Sequence, residues 1–231
     1  MLNVITITFT LIFILAVITI TIFTYYLEGL SVIAQEQTNS NNNNISLSSL
    51  INQGSPYQGS KSSPLTIIDF SDLQCHLCAR YVKNTEPKIN QTYIQTGKAA
   101  LVFKHLPNRG FDSAPASLAA QCTNDQGKFW QFHNLLYQNQ GPIDSGWANK
   151  DNLKKFASQI QGLDIYKFNS CIESQKYKSY IKGDIALAAS FGFHDTPNFV
   201  IVNSKDGSSP EIIRGAQPFD AFKAVIDKRI G

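Results

Sequence analysis

Charge is scarce in this chain and is nowhere concentrated. Lys, Arg, Asp and Glu make up 16% of its 231 residues, the formal net charge is +3, and the basic residues are scattered. Nucleic-acid binding needs a clustered basic face, so no nucleic-acid partner is expected. Internal repeats are also lacking, which argues for one main domain rather than an array. Cysteine is limited to four residues, and only Cys75 and Cys78 lie close together. Zinc normally wants a second close pair or a histidine cluster, and Cys122, Cys171, His105, His133 and His194 show no ligand spacing. Neither a metal nor a cofactor is expected.

The longest stretch without charge is at the start, where residues 4–27 are dense in Ile, Thr, Phe and Leu. As a helix this run is about long enough to cross a hydrocarbon core of roughly 30 Å. Residues 1–34 are therefore expected to be a retained single-pass membrane anchor, or a signal peptide cleaved near Ala34, where Val32-Ile33-Ala34 supplies the small-residue pattern. Residues 35–63 are rich in Asn, Ser and Gln, including Asn41-Asn42-Asn43-Asn44, and read as a disordered polar linker. Asn44-Ile45-Ser46 and Asn90-Gln91-Thr92 match the glycosylation sequon, a motif short enough to recur by chance.

The folded domain is expected over residues 64–231. Leu65 to Phe70 reads as a buried strand, Cys75 to Ile94 as a helix kinked by Pro87, and Ala99 to Phe103 as a second strand. Residues from about 112 to 190 carry helical spacing over Ala114–Cys122, Lys128–Tyr137, Asp151–Gln161 and Tyr177–Ala189, an inserted helical subdomain. Phe199–Val202 and Glu211–Arg214 then read as a hairpin, and Pro218–Ile230 as a closing amphipathic helix. The order β-α-β, helices, β-β-α defines an α/β fold.

The chemistry centres on Cys75-His76-Leu77-Cys78, placed at a strand-to-helix junction. A helix N-terminus stabilises a thiolate, so Cys75 is expected to be the exposed nucleophile and Cys78, one turn on, the resolving thiol. His76, when protonated, would lower the Cys75 pKa further; its bland reading is an exposed helix residue without a role. A permanent disulfide and half a zinc site are the bland readings of the pair. Asp69 is a carboxylate in an apolar strand, costly to bury unless it has work, and its six-residue lead on Cys75 lets it lie beneath the dithiol and exchange a proton with Cys78. It could equally be a strand-end residue reaching solvent. Asp72 is the expected cap of the helix. Thr196-Pro197 precedes a strand, where a cis bond is possible.

Asp69-Phe70-Ser71-Asp72-Leu73-Gln74-Cys75-His76-Leu77-Cys78 resembles the active-site segment of DsbA-like thiol:disulfide oxidoreductases of the thioredoxin superfamily. Gly127-Lys128-Phe129-Trp130-Gln131-Phe132-His133, Thr196-Pro197-Asn198-Phe199 and Arg214-Gly215-Ala216-Gln217-Pro218 resemble further signatures of that family, in the same order. The resemblance implies a thioredoxin fold with an inserted helical subdomain, Cys75 as nucleophile and Cys78 as resolving cysteine. It implies Asp69 at the buried acidic position, Pro197 as a cis-proline facing the dithiol, and Thr196 presenting backbone groups to a substrate strand. His76-Leu77 departs from the family's familiar Pro-His, which leaves the oxidising strength open. Cys122 and Cys171 fall on helical segments that could pack together, where outside the cytoplasm they would form a structural disulfide; two buried free thiols are the alternative.

The expected activity is extracytoplasmic thiol-disulfide exchange that forms disulfides in secreted proteins carrying thiols. A membrane-bound redox partner would recycle the dithiol, and a monomer is the default. A reductase or isomerase using the same residues, or a non-catalytic peptide- or metal-binding module, are the alternatives.

Overall fold

A computed structural model describes residues 19–26, 50–51 and 54–231. The chain divides into two units, Met1–Asn44 and Ile45–Gly231. In the first, residues 19–26 are helical and exposed. Among the described residues no helix is long and apolar enough to cross a membrane. The rest of the anchor or signal expected over 1–34, and most of the linker expected over 35–63, lie outside the described residues.

The second unit is built on a five-stranded sheet in the order β1-β3-β2-β4-β5. Its strands are β1 (Tyr57–Gln58), β2 (Leu65–Ser71), β3 (Ala99–His105), β4 (Asn198–Asn203) and β5 (Glu211–Arg214). β2 and β3 run parallel, and the other pairings are antiparallel. Every residue of β2 and β3 is buried, as expected of central strands covered on both faces. Alternation along β2 sends Leu65 and Ile67 into one apolar cluster and Ile68 and Phe70 into another. Asp69 therefore falls on the face of Leu65 and Ile67.

That face is covered by α1 (His76–Asn84), α2 (Glu86–Ile89), a π-helical turn over Asn90–Ile94 and α8 (Phe219–Ile230). The helix expected over Cys75–Ile94 is kinked at Thr85, which stays in helical conformation, donates its N–H to Tyr81 O at 2.8 Å and accepts from the Ile89 N–H. Pro87 has no N–H to give the carbonyl four residues earlier, so α1 ends at Asn84 and α2 begins at Glu86. Between β3 and β4 stand α3 (Ser113–Asn124), α4 (Phe129–Gln138), α5 (Lys150–Ala157), α6 (Ile165–Glu173) and α7 (Lys178–Ser190). The helical subdomain is narrower than residues 112–190, because α7 returns to the sheet. Its Ala188 packs with Ile68, Phe70 and Val200, and its Asp184 meets Lys104 of β3 in a fully buried ion pair at 2.9 Å.

The fold also begins before Pro64. Leu50 is buried, and β1 pairs with Leu101 and Val102. Composition pointed to a tether because little in this segment is apolar, yet it is held through polar groups. The Gly54 carbonyl accepts from Gln121 Nε2 and Asn124 Nδ2 at 2.7 Å each, and the Tyr57 carbonyl accepts from Trp130 Nε1 at 3.1 Å.

Candidate functional site

Cys75 is the N-cap of α1, in extended backbone conformation. Its Sγ accepts the Cys78 N–H at 3.3 Å, so the first free donor of the helix points at the sulfur. The Cys75 thiol donates in turn to the Thr196 carbonyl at 3.3 Å. Thr196-Pro197 is a cis peptide bond directly before β4, and the Pro197 carbonyl is tied to Gly215 N–H at 2.9 Å. Cys75, Cys78, Thr196 and Pro197 thus meet at one point, where the start of α1 faces the start of β4. Both cysteines are free thiols. The exposed nucleophile expected from sequence is instead only 2% exposed, because the Thr196 carbonyl lies over it.

The two thiols are electrostatically distinct. Cys75 is lowered to about 6, chiefly by the hydrogen bond from the Cys78 side chain, then by the Thr196 side chain, the Cys78 N–H and the positive charge of Arg109. Cys78 is raised, first by burial, then by Cys75 and the charge of Asp69. At neutral pH the first is thiolate and the second thiol. His76 is exposed, and its Nδ1 meets Gln140 Oε1 at 3.2 Å. The cation that bears on Cys75 is Arg109, from the loop after β3, which the sequence reading missed.

Asp69 is 1% exposed and accepts a bond from the Ser71 hydroxyl. Burial pushes it up to about 7, against the Ser71 bond and with help from Cys75. Asp72 does not cap α1. Its carboxylate accepts Gln74 N–H at 2.8 Å, Asn108 N–H at 2.7 Å and Arg109 N–H at 2.8 Å, pinning the loop after β3 beside the dithiol. Asn108 Nδ2 donates to His194 O at 3.0 Å, joining that loop to the one carrying Thr196.

Cys122 and Cys171 are joined by a disulfide of 2.01 Å between α3 and α6, in the same apolar cluster as Cys75 and Cys78. His105 and His133 are core residues whose rings pack edge-on against Phe103 at 5.1 and 5.4 Å. Among the described residues no three His, Cys, Asp or Glu converge as a metal site would need. Between the two cysteines, Leu77 is 41% exposed.

Residues 51–228 match the sequence profile of the family described as Thioredoxin. The chain is similar to the probable disulfide bond formation protein D of Bacillus cereus, 27% identical over 175 residues that cover 74% of this chain and 77% of that one. Its structure is similar to that of BdbD from Bacillus subtilis in the oxidised form, with TM-score 0.68 and 23% identity over 77% of this chain and 94% of the other. It is equally close to alpha-DsbA1 of Wolbachia pipientis, with TM-score 0.68 and 28% identity over 79% of this chain and 94% of the other.

Proposed function

The chain belongs to the thioredoxin family as a DsbA-like protein-disulfide oxidoreductase, and on that premise we propose that Cys75 and Cys78 form disulfides in secreted proteins outside the cytoplasm. The observation that carries this reading is the split between the two thiols: Cys75 lowered to about 6 at the helix start, Cys78 raised and buried above Asp69. A stabilised Cys75 thiolate favours the reduced pair and makes the disulfide a stronger oxidant.

In the oxidised enzyme a substrate thiolate attacks Cys75 Sγ, forming a mixed disulfide and expelling the Cys78 thiolate. Asp69, a carboxylic acid for much of the time at pH 7, gives its proton to Cys78. A second substrate thiolate attacks the substrate sulfur of the mixed disulfide, closing the substrate's disulfide and releasing Cys75 as thiolate. Two substrate thiols lose two electrons, and the enzyme pair gains them. A membrane-bound partner must take those electrons away again. The Thr196 backbone beside cis-Pro197 is suited to hold an extended substrate segment over Cys75.

Residues 1–34 would deliver the domain across the membrane, whether retained as an anchor or removed near Ala34, and residues 64–231 would carry the catalytic domain, as a monomer. The Cys122–Cys171 disulfide supports this location, since such bonds persist in oxidising compartments. A reductase or isomerase is the second reading, favoured only by His76-Leu77 between the cysteines.

Trapping tests the proposal. Cys78→Ser protein, expressed where it normally resides, should accumulate mixed disulfides in which the Cys75 thiolate has attacked a disulfide of a secreted protein and displaced one of its thiols, and the Cys75→Ser,Cys78→Ser double variant should accumulate none. Equal recovery from both, or none from either, would contradict it.

A further inference from the structure

Asp69 has a problem of access. It is 1% exposed and lies under α1, so a proton that it exchanges with Cys78 has no direct path to water. A second buried carboxyl stands nearby. Glu86, the first residue of α2, is 7% exposed and its Oε2 has no hydrogen-bond partner among the described residues. Tyr81 is 1% exposed, and its hydroxyl is likewise unpartnered. Buried polar atoms are rarely left so, and two unpartnered ones on neighbouring elements call for a role.

The sheet register places Asp69 and the Tyr81 ring on one face. Asp69 pairs directly with Phe199 across β2 and β4, so the two side chains share a face. The Tyr81 ring sits 4.5 Å from the Phe199 ring, one helical turn after Cys78 on the buried side of α1. Glu86 follows, and beyond it opens a groove of about 740 Å³ lined by Ala79, Val82, Glu86, Asn90 and Tyr137.

We infer that Glu86 is the outlet through which the proton exchanged between Cys78 and Asp69 reaches solvent, with the Tyr81 hydroxyl as the station between the two carboxyls. The inference rests on the exchange chemistry proposed for Cys75 and Cys78. When a mixed disulfide on Cys75 is resolved, Cys78 loses its proton to the Asp69 carboxylate and attacks Cys75 Sγ, releasing the partner thiolate. The Asp69 acid then donates to the Tyr81 oxygen while the Tyr81 O–H donates to Glu86, and Glu86 releases a proton to water in the groove. Tyr81 ends as it began, and no electrons move in the relay.

The charged surroundings fit. Burial, then the Asp69 charge, raises Glu86 to about 8, near the value of about 7 for Asp69, so transfer between them is nearly level. From α1, Arg80 and Lys83 also line the groove; from α4, Tyr137 does so with its hydroxyl committed to Asp72 O at 3.0 Å. From α8 the cluster receives Phe222 and Ile226, with Phe219, Val225 and Ile230 packed against it.

The test follows full-length reduced protein reacting with oxidised glutathione, with acid quenching and mass spectrometry. Formation of the Cys75 adduct and its resolution by Cys78 are timed separately from pH 6 to 9, in H₂O and D₂O. Glu86→Gln, which mimics the neutral carboxyl, and Tyr81→Phe, which removes only the hydroxyl, should slow resolution by about tenfold or more. Both should alter its pH profile and solvent isotope effect while leaving adduct formation within about twofold, and Glu86→Asp should restore most of the rate. Resolution at the wild-type rate, with the wild-type pH profile, in both Glu86→Gln and Tyr81→Phe would overturn the outlet. A wild-type chain that forms no adduct would instead overturn the exchange chemistry, and this inference with it.

Discussion

Arg109 is a lone arginine in a turn, and nothing near it in sequence marks it as part of a thiol site. Its role depends on Asp72, which accepts its N–H and that of Asn108 and so turns the loop after β3 toward Cys75. Replacing Arg109 by Met removes the positive charge and should move the Cys75 titration modestly upward from about 6, since the Cys78 and Thr196 hydrogen bonds that lower it most remain. Iodoacetamide alkylation rates measured against pH report that midpoint directly. His76→Ala breaks a contact with Gln140 and should move it less. An unchanged midpoint in Arg109→Met would remove the guanidinium from the account. Cys75, Cys78, Asp69 and Thr196-Pro197 were legible because their chemistry is written into short local patterns. Arg109, Tyr81 and Glu86 were not, since only the register of β2 against β4 and the loop pinned by Asp72 bring them to the dithiol.

Among the elements, α1 and the hairpin β4–β5 were legible from cysteine placement, alternation and turn residues. Two others were not. β1 is two residues in a polar run and exists because β3, Trp130, Gln121 and Asn124 satisfy its main chain and that of Gly54. α6 is a nine-residue helix whose buried positions are Phe168, Cys171 and Ile172, too few to set a period before the chain is folded. Yet α6 carries one end of the Cys122–Cys171 disulfide, which closes a separation of 49 residues in the unfolded chain. By loop entropy, Cys122→Ala,Cys171→Ala should cost about 4 kcal/mol of stability. Exchange at Cys75 should survive, because the hydrogen bonds of Cys75 run to Thr196 and Cys78 and not to the disulfide. Denaturant unfolding and a glutathione exchange assay on the same variant check both halves; loss of exchange in a folded variant would make this bond part of the redox chemistry.

Across the whole molecule, buried groups of opposite kind set the response to pH. Burial depresses His105 to about 3 and His133 to about 4, so their contribution is present above the unfolded value near 6.5 and is lost as pH falls toward the folded values. Asp69 and Glu86 are raised to about 7 and about 8, so theirs is present at acid pH and is lost as pH rises through those values. Between about 4.5 and 6.5 the two pairs oppose each other at about 1.4 kcal/mol per pH unit per group, and Asp184, raised to about 6 chiefly by burial, adds to the carboxylate side over the lower part of that range. Urea unfolding should therefore give only a shallow decline with rising pH over that range and a fall below about 4, where His105 and the carboxylates held low by their hydrogen bonds, among them Asp144, Asp164, Glu173, Asp206 and Asp227, take up protons. Glu86→Gln isolates one contribution: it should match wild type at pH 5 and exceed it at pH 9 by about 2–4 kcal/mol. No gain at pH 9 would mean that Glu86 ionises freely in the folded protein.

A low-pKa Cys75 exchanging with Cys78 makes an oxidising couple, and the equilibrium of that couple with glutathione is its most direct test. The predicted result is a two-electron transition confined to Cys75 and Cys78, with a potential clearly more oxidising than the roughly −270 mV of thioredoxin. A potential at or below that value, or no transition at these two cysteines, would contradict it.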